Sequence, residues 1–308
     1  MSSNESRNVG YIGLGNLGFH LAHSLLRSGH RVTITDLDRA VAEPLLAKGA
    51  VWADSAGSVA EQCDVVFTCL PSPRAVDAVV AGPNGVFSGL RAGGTWIDNS
   101  TNDQSETMRL AAIASERGIH VLESPVTGGV HKAAAGDITV LVGGDEAVFE
   151  ANADLLSAIG SPVLYMGPLG SAAVIKVITN MLAFIHLVAA GEALMLAKRG
   201  GLDLAKSFEA ILNSSGNSFV HETESQVILN GSYNIGFTMD LAVKDLGFAM
   251  DFGKEFGVPL DLAGQTMQTF IRARSQYGGS AWSSQVVKLL EDALGTDLRA
   301  AGFPEVLQ

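Results

Sequence analysis

One ammonium lies inside the strongly apolar run Gly167-Pro-Leu-Gly170-Ser-Ala-Ala-Val-Ile-Lys176-Val-Ile-Thr-Asn180. A buried charge is costly unless it is paired or used. In a helix, Lys176 and Asn180 are spaced i and i+4 and share a face. A lysine partly stripped of water can have its pKa lowered towards neutrality, so that it takes a proton from an alcohol and returns it. The plainer alternative is a lysine whose stem snorkels to the surface beside an incidental asparagine.

A second constellation, Gly13-Leu-Gly15-Asn16-Leu17-Gly18, follows the strand-like Val9-Gly-Tyr-Ile12 and opens an amphipathic stretch. In that context the first glycine permits a tight turn, the second lets a pyrophosphate approach the backbone, and the third lets helix and strand pack closely. Unpaired N–H groups at the helix start then face the phosphates. Asp36 ends the next strand about 20 residues on, where a carboxylate accepts from the ribose hydroxyls of NAD and repels the 2′-phosphate of NADP. NAD is therefore expected over NADP, with Arg39 as the nearby cation that argues the other way. Without Asp36, the glycines alone would suit an empty strand-to-helix turn equally well.

Two further segments place hydroxyls where a ligand could meet them. Ser100 and Thr101 follow an apolar strand, at the usual edge of a cleft in an open parallel sheet. Thr127-Gly128-Gly129 sets a hydroxyl beside glycines that can expose N–H groups to a carboxylate. Each could also be an ordinary turn. The seven histidines form no close cluster with one another or with Cys63 and Cys69, so no metal site is expected. His186 reads as a core histidine, and the absence of a G-x-S-x-G turn leaves acyl transfer without a nucleophile.

The elements that must hold these groups fall into two halves. Val9–Ile12, Arg31–Thr35, Val65–Leu70, Thr95–Ile97, His120–Leu122 and Thr139–Val142 are short, apolar and β-branched, with helical stretches such as Leu17–Ser28 and Thr107–Arg117 between most of them. Strand and helix in alternation imply a mostly parallel, Rossmann-type α/β sheet domain, expected over 1–168. From Ala172 to Arg199 the pattern becomes one long helix. The remaining glycine-punctuated helices give an all-helical domain over 169–308. That first helix is too apolar all round to face water, which predicts burial between domains or subunits, and a homodimer or homotetramer. Asn180, His186 and Glu192 interrupt the run a membrane span would need.

With 308 residues, 47% of them hydrophobic and 17% charged, the chain is expected to be globular. A net charge of −12 and no Lys/Arg cluster disfavour nucleic acid. The polar Met1–Asn8 segment lacks the pattern of a signal peptide, so a cytoplasmic location is expected. Cys69, in the apolar run Val65–Leu70, reads as a buried free thiol.

These motifs, in this order along nearly the whole chain, resemble the β-hydroxyacid dehydrogenase family, whose best-known member oxidises 3-hydroxyisobutyrate. The resemblance is carried by Gly13–Gly18, Asp98-Asn-Ser-Thr101, Ser124-Pro-Val-Thr-Gly-Gly129, the Lys176/Asn180 helix and Lys244-Asp245. It implies an NAD-dependent oxidation of a small 3-hydroxyacid to its semialdehyde, or the reverse, with Lys176 as general acid/base. Ser100, Thr127, Gly128, Gly129 and Asn180 would bind a carboxylate-bearing substrate. Gly13, Gly15, Asn16, Leu17, Gly18, Asp36, Leu70, Pro71, Thr101 and Lys244 would bind the cofactor, although Lys244 could simply pair with Asp245. The chain departs from the family at Gln104, Lys132 and Ala172, where proline, glycine and glycine are usual. His131 and Lys132 form a local cationic spot that could take a second anionic group, or a solvated loop pair. Alternatives are a reductase of tartronate semialdehyde or another 2-(hydroxymethyl) acid, 6-phosphogluconate dehydrogenase, an imine reductase, and a dinucleotide-binding sensor without turnover. Lys176 disfavours the imine reductase.

Overall fold

The structure is a computed structural model that describes residues 6–307; most of the polar leader read at the N-terminus, Met1–Glu5, lies outside the described residues. The chain divides into two compact units, one ending at Lys176 and the other beginning at Val177.

The first unit is a nine-stranded sheet. Its strands are β1 (Asn8–Ile12), β2 (Arg31–Thr35), β3 (Val51–Trp52), β4 (Val65–Thr68), β5 (Thr95–Asp98), β6 (His120–Glu123), β7 (Val126–Thr127), β8 (Thr139–Gly144) and β9 (Val163–Gly167). They run in the order β3-β2-β1-β4-β5-β6-β8-β7, with β9 also on β8. The pairings from β3 to β6 are all parallel, β8 is antiparallel to β6 and β7, and β9 is parallel to β8. Register follows from the two-residue period of a strand. Tyr11, Ile34, Phe67 and Ile97 belong to one apolar cluster, while their neighbours Ile12, Val66 and Trp96 belong to another. Both faces are thus buried, as parallel strands with crossover helices require.

Three strands escaped the sequence pattern. β3 and β7 are two residues long, too short to show a period, and β9 leaves Leu164 and Met166 exposed, so its alternation carries no polar face. The run Val65–Leu70 is strand only to Thr68, because Leu70 turns to donate its N–H to Ser100 Oγ. Cys69 is accordingly half-buried rather than buried. The helix expected from Thr107 begins at Gln104, where Asp103 accepts from Glu106 N and satisfies one open donor of the first turn.

The second unit is helical. Leu204–Leu212, Phe219–Asn230 and Met239–Phe256 start on side-chain caps from Asp203, Ser218 and Thr238. Gly231 and Gly257 close the latter two in the left-handed conformation. Asp261–Tyr277 and Lys288–Leu294 complete the set, around a core that includes Phe184, Phe208, Met239, Leu246 and Phe270. The lysine helix runs unbroken from Ser171 to Arg199. By length and composition alone it could cross a membrane, and a third of its most apolar window is buried. Ile178, Leu182 and Leu196 are exposed along one stripe, together with His186, which is therefore not the core histidine expected.

Candidate active site

The carboxyl ends of the parallel strands bring the first group of expected residues to one edge of the sheet. The order in which strands are added reverses between β1 and β4, which run parallel, and the crevice at such a switch point is where a ligand binds in this type of sheet. The glycine turn leaves β1 there. Gly13 has φ +93°, and a Cβ on it would lie 2.3 Å from the Cys69 carbonyl; one on Gly18 would lie 2.0 Å from the Gly13 carbonyl. Gly15 differs, since a Cβ there would meet nothing within 4 Å. Gly13 and Gly18 are thus required by the fold, whereas the space at Gly15 is required by no neighbour. The helix Gly18–Arg27 starts with no side-chain cap and no acid in its first turn. Phe19 N and His20 N donate to the Gly15 and Leu17 carbonyls, and with no side chain or acid occupying the helix start its positive end fits a dinucleotide pyrophosphate.

Asp36 is half-buried beside this turn. Its Oδ2 accepts from Leu14 N at 2.6 Å and its Oδ1 from Asp38 N at 3.1 Å, which fixes the carboxylate at the end of β2. Arg39 is exposed, with its guanidinium 5.3 Å from the centre of the Trp52 ring. Leu70 and Pro71 follow β4 and are half-buried and exposed.

Beyond β5 the backbone is held by a buried polar network. Trp96 Nε1 donates to Thr68 Oγ1, Thr68 Oγ1 donates to Asp98 Oδ1 at 2.8 Å, and Ser100 N donates to the same oxygen at 3.1 Å. Burial pushes the Asp98 carboxyl up to about 6, against the pull of these hydrogen bonds. Tyr11 OH donates to Asn99 Oδ1, and Asn99 Nδ2 donates to the Ser124 carbonyl, tying β1, β5 and β6 together.

Lys176 closes this edge. It is 8% exposed and lines a cavity with Ser100 and Thr101, Asp98 and Asn102 from the same loop, and Thr107. Glu123, Pro125 and Ala173 complete the lining. Three expected residues, Ser100, Thr101 and Lys176, are therefore brought together. Glu123 was missed. Its Oε1 accepts from Gly170 N and Ala172 N, each at 2.7 Å, at the start of the lysine helix. Burial pushes its carboxyl up to about 7, while the backbone donors pull the other way and Asp98 adds a further upward push. The available signal was a carboxylate ending an apolar strand, directly before Ser124-Pro125, with no basic neighbour in sequence.

Thr127, Gly128 and Gly129 do not line that cavity. Gly128 and Gly129 have φ of +131° and +91°, a backbone that side chains disfavour. His131 and Lys132 pack against these glycines within the short helix Val130–Ala135, and both are half-buried rather than a solvated loop pair. Burial, and then Lys132, lowers the His131 pKa. Gln104 packs against Gly170, where a Cβ would lie 2.6 Å from its Nε2.

Within the second unit, Asn180 and Lys244 meet at one acid. Asn180 Nδ2 donates to Asp245 Oδ2 at 2.6 Å, and Lys244 Nζ lies 3.0 Å from Asp245 Oδ1. Asp245 is 1% exposed, and the Lys244 ammonium also sits over the Phe248 ring. Among the described residues, no group of three or more His, Cys, Asp or Glu could hold a metal ion.

Residues 8–167 match the family described as the NAD binding domain of 6-phosphogluconate dehydrogenase. Residues 170–290 match the NAD-binding family of NADP-dependent 3-hydroxyisobutyrate dehydrogenase. The chain is 36% identical to a 2-(hydroxymethyl)glutarate dehydrogenase of Eubacterium barkeri, over 96% of this chain and 98% of that one. It is 34% identical to an L-threonate dehydrogenase of Cupriavidus necator, over 92% and 96%. A crystal structure of a 3-hydroxyisobutyrate dehydrogenase from Salmonella typhimurium superimposes with a TM-score of 0.85 at 32% identity, covering 91% of this chain and 99% of that one.

Proposed function

The chain belongs to the β-hydroxyacid dehydrogenase family of NAD(P)-dependent oxidoreductases, and from that premise we propose that Lys176 is the general acid/base that interconverts a small 3-hydroxyacid and its semialdehyde. The observation that carries this reading is a buried ammonium in one cavity with the hydroxyl side chains of Ser100 and Thr101. The bound nicotinamide supplies the hydride acceptor for oxidation and the donor for reduction.

In oxidation, neutral Lys176 Nζ takes the substrate hydroxyl proton as the C–H bond gives up its hydride; in reduction the ammonium returns that proton to the forming alkoxide. Ser100 accepts from Leu70 N and its hydroxyl is hydrogen-bonded to the Asp98 carboxylate, which fixes its oxygen at the cavity edge where the substrate would meet it. Gly128 and Gly129, with positive φ, suit a nest of N–H groups for the substrate carboxylate, and Thr127 adds a hydroxyl. Asn180, oriented by Asp245, is assigned to the substrate, and Lys244 to the cofactor. Gly13, Gly15, Asn16, Leu17 and Gly18 would hold the pyrophosphate, with Leu70, Pro71 and Thr101 beside the rest of the cofactor. Asp36 favours NAD over NADP.

The half-buried His131–Lys132 pair beside the carboxylate loop supports a second reading, a 2-(hydroxymethyl) dicarboxylate as substrate. The exposed stripe Ile178, Leu182 and Leu196 supports assembly with further copies of this chain as a dimer or tetramer, which the solution mass would decide.

Lys176→Ala tests the central assignment. Turnover should fall by at least a thousandfold while NAD still binds, about 4 kcal/mol of barrier. Turnover close to wild type would refute it. A panel of 3-hydroxyisobutyrate, glycerate, threonate and 2-(hydroxymethyl)glutarate, with NAD and NADP compared, assigns the substrate. Activity on a plain alcohol or an imine alone would overturn the hydroxyacid class.

A further inference from the structure

Glu123 does two things with its two oxygens. Oε1 accepts the amides of Gly170 and Ala172, donors at the start of the helix that carries Lys176 one turn later. Oε2 is buried and has no hydrogen-bond partner within the protein. The residue lines the same cavity as Lys176. A carboxyl needed only to cap a helix could turn its other oxygen to water or to a second donor, because a buried unsatisfied oxygen is costly. The chain instead makes room for this one. Gly143 lies opposite, where any Cβ would stand 2.3 Å from Oε1.

We propose that Glu123 is a positioning residue for the hydroxyacid reaction, its Oε1 fixing the first turn of the lysine helix and its Oε2 carrying the counter-charge to the Lys176 ammonium. The inference rests on the assignment of Lys176 as acid/base. In oxidation, the substrate O–H bond breaks and its proton forms the third N–H bond on Nζ, while the hydride leaves with both C–H electrons to the nicotinamide. Nζ gains a positive charge in that step, and an ionised Glu123 in the same enclosed lining favours it. The other titratable group in this lining is Asp98; Gly143 and residues 170–173 contribute no ionisable side chain. Because burial raises the Glu123 carboxyl to about 7, its charge changes within the working pH range.

Glu123→Gln keeps an oxygen for the two amides and removes the charge, whereas Glu123→Ala removes both. In Glu123→Gln, kcat for oxidation should fall about tenfold at pH 8, KM should stay within about twofold, and the acid limb of the kcat profile should move by about one pH unit. Glu123→Ala should lose thermal stability as well. A Glu123→Gln enzyme with wild-type kcat at every pH would overturn the proposal and leave a helix cap alone. Loss of turnover in Lys176→Ala alongside that result would show that the acid/base assignment survives. A second measurement needs no turnover. Wild type should lose stability relative to Glu123→Gln as pH rises from about 5 to 7, because the fold favours the protonated acid. Parallel Tm curves for the two proteins would equally overturn the proposal.

Discussion

The glycine turn gives a test in which fold and ligand separate. Replacing Gly18 with Ala puts a methyl carbon 2.0 Å from the Gly13 carbonyl oxygen, with Cys69 Cβ at 3.2 Å. The first neighbour is backbone, so strand and helix must move apart. Overpacking of this kind costs roughly 1–3 kcal/mol, and a clash with immobile backbone belongs at the upper end. At about 2–4 °C per kcal/mol for a unit of this size, Tm should fall by roughly 6–12 °C. Gly15→Ala places its methyl where nothing lies within 4 Å, and Gly15 is not among the glycines of positive φ. Its Tm should change by less than about 2 °C, as for a surface substitution. The same methyl would occupy the approach of the pyrophosphate to the backbone. NAD affinity should therefore fall at least about tenfold, or 1.4 kcal/mol. Calorimetric Tm and NAD titration of the two variants decide the matter. A Gly15→Ala protein that binds NAD as tightly as wild type, or one as destabilised as Gly18→Ala, would refute the reasoning.

Asp36→Ala should weaken NAD binding far more than NADP binding and cost about 1 kcal/mol of stability, since Leu14 N loses its acceptor. An unchanged preference in paired titrations contradicts the ribose assignment. Gly143→Ala should destabilise by about 2 kcal/mol through its clash with Glu123 Oε1, read as a lower urea midpoint. The buried acids also set a pH dependence. Asp98 and Glu123 have folded values raised to about 6 and about 7, so their contribution is fully present below about pH 4 and is lost as pH rises through those values. Asp98→Asn should flatten that decline between about pH 4 and 6; a denaturation series showing the wild-type slope there would count against it.

Much of the dinucleotide edge was legible in sequence because it is local. A turn of three glycines, a carboxylate ending the next strand and hydroxyls after β5 each declare themselves within a few residues. The placement of Lys176 and Asn180 one turn apart on an apolar helix was legible for a similar reason, whereas the cavity is lined by Lys176 and not by Asn180. Glu123 was not, because its meaning depends on amides 47 and 49 residues away. Asp245 appeared in sequence only as a neighbour of Lys244, and its bond to Asn180 spans 65 residues. Exposure misled at His186 and Cys69, since an apolar neighbourhood in sequence does not say which side of a helix or strand end the fold covers.

The sequence by itself determined the parallel sheet, a glycine turn between its first strand and helix, and a lysine set in an apolar helix, because periodicity and glycine geometry are properties of short segments. Tertiary structure decided which of the three glycines the fold needs, which strand ends share a cavity with Lys176, and that a distant carboxylate holds the start of its helix. Those depend on burial and on hydrogen bonds between strands and helices far apart in the chain, and no local pattern encodes them.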